Sequence, residues 1–184
     1  GHEGCLARLV AAGADVNAAD MDGFTPVHAA SHEGHVGCVE RLVAADVDVN
    51  AVAKDGLTPV YGASLNGHEG CVERLVAAGA DVNAADMGGR TPIIAASHEG
   101  HEGCVERLVA AGADVNAADM GGFTPVYAAS HDGHVGCVKR LVAAGADVNV
   151  PSKGGGQTPI NIASLNGHEG CLARLVAAGA DVNA

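Results

Sequence analysis

The chain has 184 residues and is strongly acidic, with 22 Asp and Glu against 10 Lys and Arg and a formal net charge of −12. Because an acidic surface is repelled by phosphate backbones and by anionic lipids, this balance argues against binding to nucleic acids or to membrane surfaces. No apolar run in the sequence approaches the roughly 18 residues that cross a bilayer as a helix. Aromatic residues make up only 2% of the chain, which is unusual for a single globular core and suits a structure built from thin layers.

A block of 33 residues recurs along the sequence. The dipeptide Thr-Pro begins at Thr25, Thr58, Thr91, Thr124 and Thr158, and a cysteine occurs at Cys5, Cys38, Cys71, Cys104, Cys137 and Cys171. Both series advance by 33 residues, with a single step of 34 at the end. A fixed period of this length predicts a solenoid, in which each unit buries its apolar face against its neighbours.

The period divides the chain into a half unit, residues 1–19, and five full units. Units 1 to 5 cover residues 20–52, 53–85, 86–118, 119–151 and 152–184. The segment 1–18 has the same sequence as 167–184, GHEGCLARLVAAGADVNA, so the chain opens with the second half of a unit. Neither end carries a distinct polar cap, which favours a fragment of a longer array. The alternative is a self-contained protein whose ends associate.

Each full unit is predicted to contain two short helices, as unit 1 illustrates. Thr25 suits an N-cap and Pro26 suits the first helical position, so a first helix is expected over about 26–33. Gly34 can adopt the left-handed conformation that ends it. A second helix is expected from about Val36 to Ala45, followed by an exit loop with the sequence Asp-Val-Asn-Ala. Neither helix exceeds about three turns, so neither is stable without stacking.

The units resemble the ankyrin repeat. In unit 3 the resemblance is carried by residues 86–92 (DMGGRTP) at the turn and helix entry, by Gly100-His101 between the helices and by residues 112–116 (GADVN) after the second helix. Unit 1 carries residues 25–28 (TPVH), close to the T-P-L-H of the family. The resemblance covers all 184 residues. It implies an all-α ankyrin-repeat solenoid with β-hairpin-like loops, a fold whose usual role is to bind another protein.

The resemblance also implies where a partner binds, because the family lines a concave groove with its turn tips and with the exits of its first helices. Residues at these positions differ between otherwise near-identical units, which agrees with a role in recognition. The predicted tip residues are Met21, Asp22, Phe24, Lys54, Leu57, Met87, Arg90, Met120, Phe123 and Gln157. The predicted helix-exit residues are His32, Glu33, Leu65, Asn66, His98, Glu99, His131, Asp132, Leu165 and Asn166. An alternative is that the Met and Phe side chains fold onto neighbouring turns and serve packing.

The six cysteines occupy the same helix position in successive units. Packed helices lie about 8–10 Å apart, whereas a disulfide requires Cα atoms within about 7 Å, so cross-links between units are not expected. The sequence contains no Cys-x-x-Cys pair that could chelate zinc. We therefore predict six buried free thiols, which favour a reducing, intracellular compartment such as the cytoplasm.

Three H-x-x-H pairs, such as His98 and His101, raise the question of a metal site. A glycine lies inside each pair and ends the helix, so the two imidazoles do not share a helical face and no metal is predicted. The resemblance implies instead that the His after this Gly braces the turn by hydrogen bonds. The residues concerned are His2, His35, His68, His101, His134 and His168.

The sequence shows no combination of nucleophile, base and acid that predicts catalysis. We therefore expect neither enzyme activity nor a cofactor. The predicted function is a scaffold that binds a protein partner through the concave groove. Two alternatives remain open: a module that associates head to tail into stacks, and a substrate of an asparaginyl hydroxylase, which acts on exit-loop Asn residues in some members of the family. The residues concerned in the second case are Asn50, Asn83, Asn116 and Asn149.

Overall fold

The computed structural model describes residues 2–183, apart from the side chain of His2, and this range contains eleven α-helices and no strand. The helices are α1 (His2–Ala11), α2 (Pro26–His32), α3 (Val36–Ala44), α4 (Pro59–Leu65), α5 (Glu69–Ala77), α6 (Pro92–His98), α7 (Glu102–Ala110), α8 (Pro125–His131), α9 (Val135–Ala143), α10 (Pro159–Leu165) and α11 (Glu169–Ala177). None of these described helices is long and apolar enough to cross a membrane.

The helices form two layers. The first helices of the units, α2, α4, α6, α8 and α10, pack side by side in one layer. The second helices, α1, α3, α5, α7, α9 and α11, form the other layer, and each first helix packs on the second helix of its own unit. The main contacts join only neighbouring helices of this array, so the predicted all-α solenoid is confirmed.

Helix ends follow the local sequence. Every first helix begins with a proline at its first position, where the missing N–H has no helical partner to lose. In unit 1 the first helix ends before Gly34, which has a φ of +72°. The second helix of unit 2 is followed by Gly79 with a φ of +90°, whereas the equivalent position of unit 1 holds Asp46 with a φ of +62°. Asp46 is the one non-glycine residue with positive φ in the described part of the chain.

The core is a row of small aliphatic layers. In unit 3, Ile93 from the first helix and Val105 and Leu108 from the second are completely buried, and the equivalent positions of the other full units are buried except Leu172 of unit 5, which is partly buried. Burying one such side chain stabilises the fold by about 1.5–3 kcal/mol. Because each layer takes its partners from the next unit, stability accumulates along the array rather than within any one unit.

Five of the six cysteines are buried in this core, as predicted. Burial raises the pKa of Cys104 and of Cys137 to about 12, which keeps these thiols protonated. The prediction is wrong for Cys5, which is exposed. The reason is that α1 packs against α3 on one side only, so the face that buries the other cysteines has no helix against it at Cys5.

Hydrogen bonds connect successive loops. At the tips, Asp86 N–H donates to the carbonyl of Arg90 at 2.9 Å, which gives the loop its hairpin-like form. Lys54 N–H donates to the carbonyl of Asp22 at 2.9 Å and so joins two tips. Equivalent bonds recur along the array, so the tips form a continuous edge.

The histidines that follow the turn glycines act between units. Nε2 of His101 lies 3.1 Å from the carbonyl oxygen of Leu65, the last residue of the first helix of the preceding unit. The same bond is made by His68, His134 and His168, so these four residues form the predicted hydrogen bonds, but to the helix end of the neighbouring unit rather than to their own turn. The side chain of His2 lies outside the described residues.

Candidate protein-binding groove

Tips, first helices and helix exits of units 2 to 5 enclose a cavity of about 350 Å³, called the groove pocket below. It is lined by Tyr61, Leu65, Arg90, Ile94, Ala95, His98, Glu99, Asp119, Phe123, Tyr127, Ala128, His131, Gln157 and Ile162. Cavities that hold small ligands or single side chains have volumes of about 300–1,000 Å³, so this pocket lies near the lower end of that range.

The floor of the groove pocket is set by the third position of the first helices. Hydroxyl oxygens of Thr58 and Thr124 accept hydrogen bonds of 3.3 Å from the backbone N–H groups of Tyr61 and Tyr127. These caps fix where the helix starts and therefore the direction in which each tyrosine points. Ile94 occupies the same position in unit 3, so three successive units contribute one large side chain each to the floor.

Aromatic rings are concentrated in the groove pocket. Of the four aromatic side chains in the chain, Tyr61, Phe123 and Tyr127 line it. Phe123 and Tyr127 are stacked, with ring centroids 4.8 Å apart and an angle of 24° between the rings. Burial raises the pKa of both tyrosines, so their hydroxyls stay protonated, and each donates a hydrogen bond of 3.4 Å, Tyr61 to Asp86 and Tyr127 to Gln157.

The one guanidinium group of the groove pocket is held by a buried carboxylate. Arg90 bonds Oδ2 of Asp86 through both Nη2 (2.7 Å) and Nε (2.9 Å), and Oδ1 of Asp86 accepts from the N–H groups of Gly88 and Arg90. Burial alone would raise the pKa of Asp86, but the bonds from Arg90, its positive charge and the Gly88 N–H leave this pKa lowered. Asp86 is therefore ionised at neutral pH and compensates the charge of Arg90.

Three more carboxylates lie in or against the groove pocket. Oε1 of Glu99 is 2.9 Å from Nδ1 of His98, and Asp132 lies 2.8 Å from Nδ1 of His131 and 3.6 Å from Nε2 of His98. The third is Asp119, whose Oδ1 accepts two backbone N–H bonds within its own tip. Together with Asp86 these groups give four carboxylates against one guanidinium, so with His98 and His131 neutral the pocket carries an excess of negative charge.

Seven of the predicted partner-binding residues line the groove pocket: Leu65, Arg90, His98, Glu99, Phe123, His131 and Gln157. Asp132 lies beside it through its contacts with His98 and His131. The remaining predicted residues lie outside it: Met21, Asp22, Phe24, His32, Glu33, Lys54, Leu57, Asn66, Met87, Met120, Leu165 and Asn166.

The tip methionines do not serve packing. Met21, Met87 and Met120 are 89%, 69% and 70% exposed, which contradicts the alternative that they fold onto neighbouring turns. Phe24 is different, because it is only partly exposed and its ring packs edge-on against His28 at a centroid distance of 5.3 Å. The packing interpretation therefore applies to Phe24 and not to the methionines.

The floor of the groove pocket was not predicted from the sequence. The lining residues outside the predicted set are Tyr61, Ile94, Ala95, Asp119, Tyr127, Ala128 and Ile162. One signal could have found part of this set, because the third position of the first helix varies between units. It holds His28, Tyr61, Ile94, Tyr127 and Asn161 in units 1 to 5, while the flanking Thr-Pro is constant.

The exit-loop asparagines form a ladder of hydrogen bonds. Oδ1 of Asn50 accepts from the N–H of Asp81 at 2.8 Å, and its Nδ2 donates to the carbonyl of Gly79 at 3.1 Å. Asn83 makes the same pair of bonds to unit 3. Hydroxylation of these side chains, left open by the sequence, would require the loop to release both bonds.

Within residues 2–183, no three His, Cys, Asp or Glu residues are arranged to hold a metal ion.

A family model described as ankyrin repeats in three copies matches residues 1–86, 47–119 and 93–184, which overlap and together span the chain. No curated protein sequence matches this chain. The matched regions cover every unit that the 33-residue period defines, and the fold has the paired short helices and projecting tips that the resemblance implies. The chain belongs to the ankyrin-repeat family.

Proposed function

We propose that this chain is a scaffold that binds a protein partner in the groove formed by its tips and first helices, and that it is not an enzyme. Ankyrin repeats are generally protein–protein interaction modules. The observation that carries the proposal is the groove pocket, in which aromatic and aliphatic surface converges with a few charged groups from four successive units. Two exposed apolar side chains are available to a partner here: Phe123, in the lining, is 38% exposed, and Met120, outside it, is 70% exposed.

The second helices form the outer layer of the array. They carry ion pairs between units, such as Arg74 with Glu40 at 2.7 Å and Arg107 with Glu73 at 3.7 Å. All four side chains are about half exposed, and an exposed pair of this kind contributes at most about 1 kcal/mol. Solvated pairs that repeat from unit to unit suit a face that remains in water.

The test uses a partner selected from a displayed peptide or protein library against the folded chain. Phe123→Ala and Leu65→Ala remove groove contacts, and Glu73→Lys alters the outer layer as the control. We expect each groove substitution to weaken binding by about 1–2 kcal/mol, measured by calorimetry, and the control to leave affinity nearly unchanged. Melting temperatures measured in parallel separate lost contacts from lost folding. Partners whose affinity depends on Glu73 rather than on the groove would contradict the proposal.

Head-to-tail association is a second candidate function, because each end of the array exposes apolar side chains. Leu9 on α1 is 56% exposed, whereas Leu175 at the same position of α11 is completely buried. At the other end, Val176 and Leu165 are 53% and 70% exposed. A contact between these two unlike faces is heterologous and builds open chains rather than closed dimers.

Two single substitutions test this association. Leu9→Glu places a charge on the first face and Val176→Glu places one on the second, so neither variant can elongate by itself. If the unlike faces meet, a mixture of the two variants forms one-to-one dimers through the remaining intact pair of faces, while the unmodified chain forms longer species. Size-exclusion chromatography with light scattering measures these masses. A strict monomer at all concentrations of the unmodified chain would remove this candidate.

A further inference from the structure

The groove pocket combines aromatic surface with an excess of negative charge, and this combination selects among partners. We propose that it receives a basic side chain, Arg or Lys, from an extended segment of the partner protein. The inference rests on the proposed function and specifies the chemistry of the same groove.

The aromatic rings supply the first argument. Tyr61, Phe123 and Tyr127 line one cavity in a chain that has only four aromatic residues. The faces of such rings attract cations within about 6 Å, and an extended guanidinium also stacks on them. Phe123 and Tyr127 stack with their centroids 4.8 Å apart, so each has one face against the other, and Phe123, at 38% exposed, is the ring most open to a partner.

The charge balance supplies the second argument. Arg90 is already bonded twice by Asp86, so its charge is compensated within the protein. Glu99 and Asp119 both line the pocket, and neither forms an ion pair with an Arg or Lys side chain among the described residues, although Asp119 lies near enough to Arg90 to help raise the pKa of that guanidinium. The net charge of −12 on the whole chain adds a field that draws basic segments toward the groove.

The apolar lining suits the stem of a long basic side chain. Ile94, Ala128 and Ile162 lie in the same cavity as the rings. Arg and Lys bury their methylene groups against apolar surface while the charged end stays close to polar groups. At about 350 Å³ the pocket accommodates one such side chain and its local backbone rather than a folded domain.

An acidic side chain is the obvious rival, because Arg90 could attract it. Such a group could bond only to the N–H groups of Arg90 that Asp86 leaves free, and it would meet the negative charges of Asp86, Glu99 and Asp119 at the same time. Like charges brought together in a partly buried cleft disfavour binding. We therefore do not expect an acidic side chain to bind, and a peptide with a central Glu tests this.

The probes are short acetylated peptides with one common Gly, Ser and Leu frame and a single varied central residue: Arg, Lys, citrulline, norleucine or Glu. Citrulline keeps the shape of Arg without its charge. Binding is followed by methyl NMR, for which the chain offers matched reporters, since Ile94 and Ile162 line the pocket while Ile93 and Ile160 lie in the core. We expect the Arg and Lys peptides to shift the two pocket signals and to bind about 3- to 10-fold more tightly than citrulline or norleucine.

Three variants identify the groups responsible. Phe123→Leu removes a ring but keeps apolar surface, and Glu99→Gln and Asp119→Asn each remove one charge while preserving shape. Each should reduce the preference for Arg over citrulline by about 2- to 5-fold. Phe24→Leu is the control, because Phe24 holds the same position in unit 1 and lies outside the pocket. It should leave the preference unchanged.

Equal affinity for Arg and citrulline, a preference for Glu, or unshifted Ile94 and Ile162 signals at about 1 mM Arg peptide would overturn the inference. These outcomes leave the proposed function standing as long as library-selected partners still depend on Phe123 and Leu65. If the selected partners depend on the outer layer instead, both proposals fail together.

Discussion

The same sequence of 18 residues contains the first helix and the last helix of this chain, yet the two copies have different environments. In α11, Leu175 and Cys171 are completely buried, whereas in α1 the equivalent Leu9 is 56% exposed and Cys5 is exposed. The difference arises because α11 packs against both α9 and α10, while α1 packs mainly against α3. In a solenoid, burial is therefore decided by the neighbouring unit and not by the residue pattern of the helix itself.

The two end helices also differ on their opposite faces. Val176 of α11 is 53% exposed, while the equivalent Val10 of α1 is partly buried, because only α1 has a following helix packed on that side. Each end thus exposes the face that the identical helix at the other end covers. Equivalent positions in different units provide matched pairs, and each prediction below uses one such pair.

The largest effect is expected for Leu175→Ala compared with Leu9→Ala. The first substitution leaves a cavity in a completely buried layer and should lower the free energy of unfolding by about 2–5 kcal/mol. The second truncates a side chain that is 56% exposed and should change it by less than about 1 kcal/mol. Urea denaturation followed by circular dichroism measures both. Equal losses would indicate that the outer face of α1 is covered in solution, as head-to-tail association requires.

The second comparison concerns thiol reactivity, which should distinguish the two ends of the chain. Cys5 is exposed, whereas the other five thiols are buried and burial raises the pKa of Cys104 and Cys137 to about 12. Because the thiolate is the reactive form, Cys5 should react with Ellman's reagent at least about 100-fold faster than the buried thiols. Native protein should show one fast thiol, and denatured protein all six. Cys5→Ser removes the fast phase, and fast reaction of several thiols would contradict the core positions.

Most of the fold could be predicted from the sequence because its determinants are local and repeated. The structure adopts what these local features predict. A first helix begins at each Thr-Pro, the first helix of unit 1 ends before Gly34, and the 33-residue period gives stacked units. The error at Cys5 has a different origin. Its sequence context matches that of Cys171, so only the position of the unit in the array distinguishes the two residues.

The groove pocket could be predicted only in part. Exposed positions such as Arg90 and Phe123 are recognisable because they vary where the scaffold is constant. Variation between units marks the third position of the first helices, which holds Tyr61 and Tyr127, but this variation does not show whether a side chain there faces a cavity or the core. Which variable residues converge also depends on how successive units pack together, because the pocket takes its lining from units 2 to 5.

The glycine inside each second helix has different neighbours in different units. A β-carbon at Gly70 would lie 2.8 Å from Cγ2 of Val36, a branched side chain with little rotamer freedom, whereas at Gly103 it would overlap the flexible carboxylate of Glu69. Alanine is more favourable than glycine in a helix by about 1 kcal/mol. Gly103→Ala should therefore increase stability by up to about 1 kcal/mol, while Gly70→Ala should give no gain or a loss. Urea denaturation distinguishes them, and equal gains would show that Val36 moves aside freely.

Asp46 should give a smaller effect. Its φ of +62° is strained for a residue with a side chain, and the equivalent position in unit 2 is Gly79. Asp46→Gly relieves this strain but increases the freedom of the unfolded chain, so we expect a net gain in unfolding free energy of about 0.5 kcal/mol. Gly79→Asp is the reverse control and should lower stability. An unchanged denaturation midpoint for both variants would mean that the exit loops tolerate either residue.

The smallest effect is expected from the pH dependence of the first-helix cap in unit 1. His28 is 3% exposed, its Nδ1 accepts from the N–H of Thr25 at 3.1 Å, and its Nε2–H donates to the carbonyl of Leu57 at 3.1 Å. Because Thr25 is a donor, this geometry requires a neutral imidazole. Burial, only partly opposed by the Leu57 carbonyl, lowers the pKa of His28 from its ordinary value of 6.5.

The unfolded chain therefore binds this proton more readily than the folded chain. The contribution of His28 to stability is complete above pH 6.5 and decreases as the pH falls below that value. Asn161 shows how to remove the titration while keeping the cap, because its Oδ1 accepts from the N–H of Thr158 at 2.9 Å at the same position of unit 5. His28→Asn should thus lose less stability than the unmodified chain between about pH 7 and about pH 5. The other histidines are common to both proteins, so their titration cancels in the difference between two urea-denaturation series. Parallel pH profiles would mean that His28 keeps its proton affinity on folding and that the cap does not depend on a neutral ring.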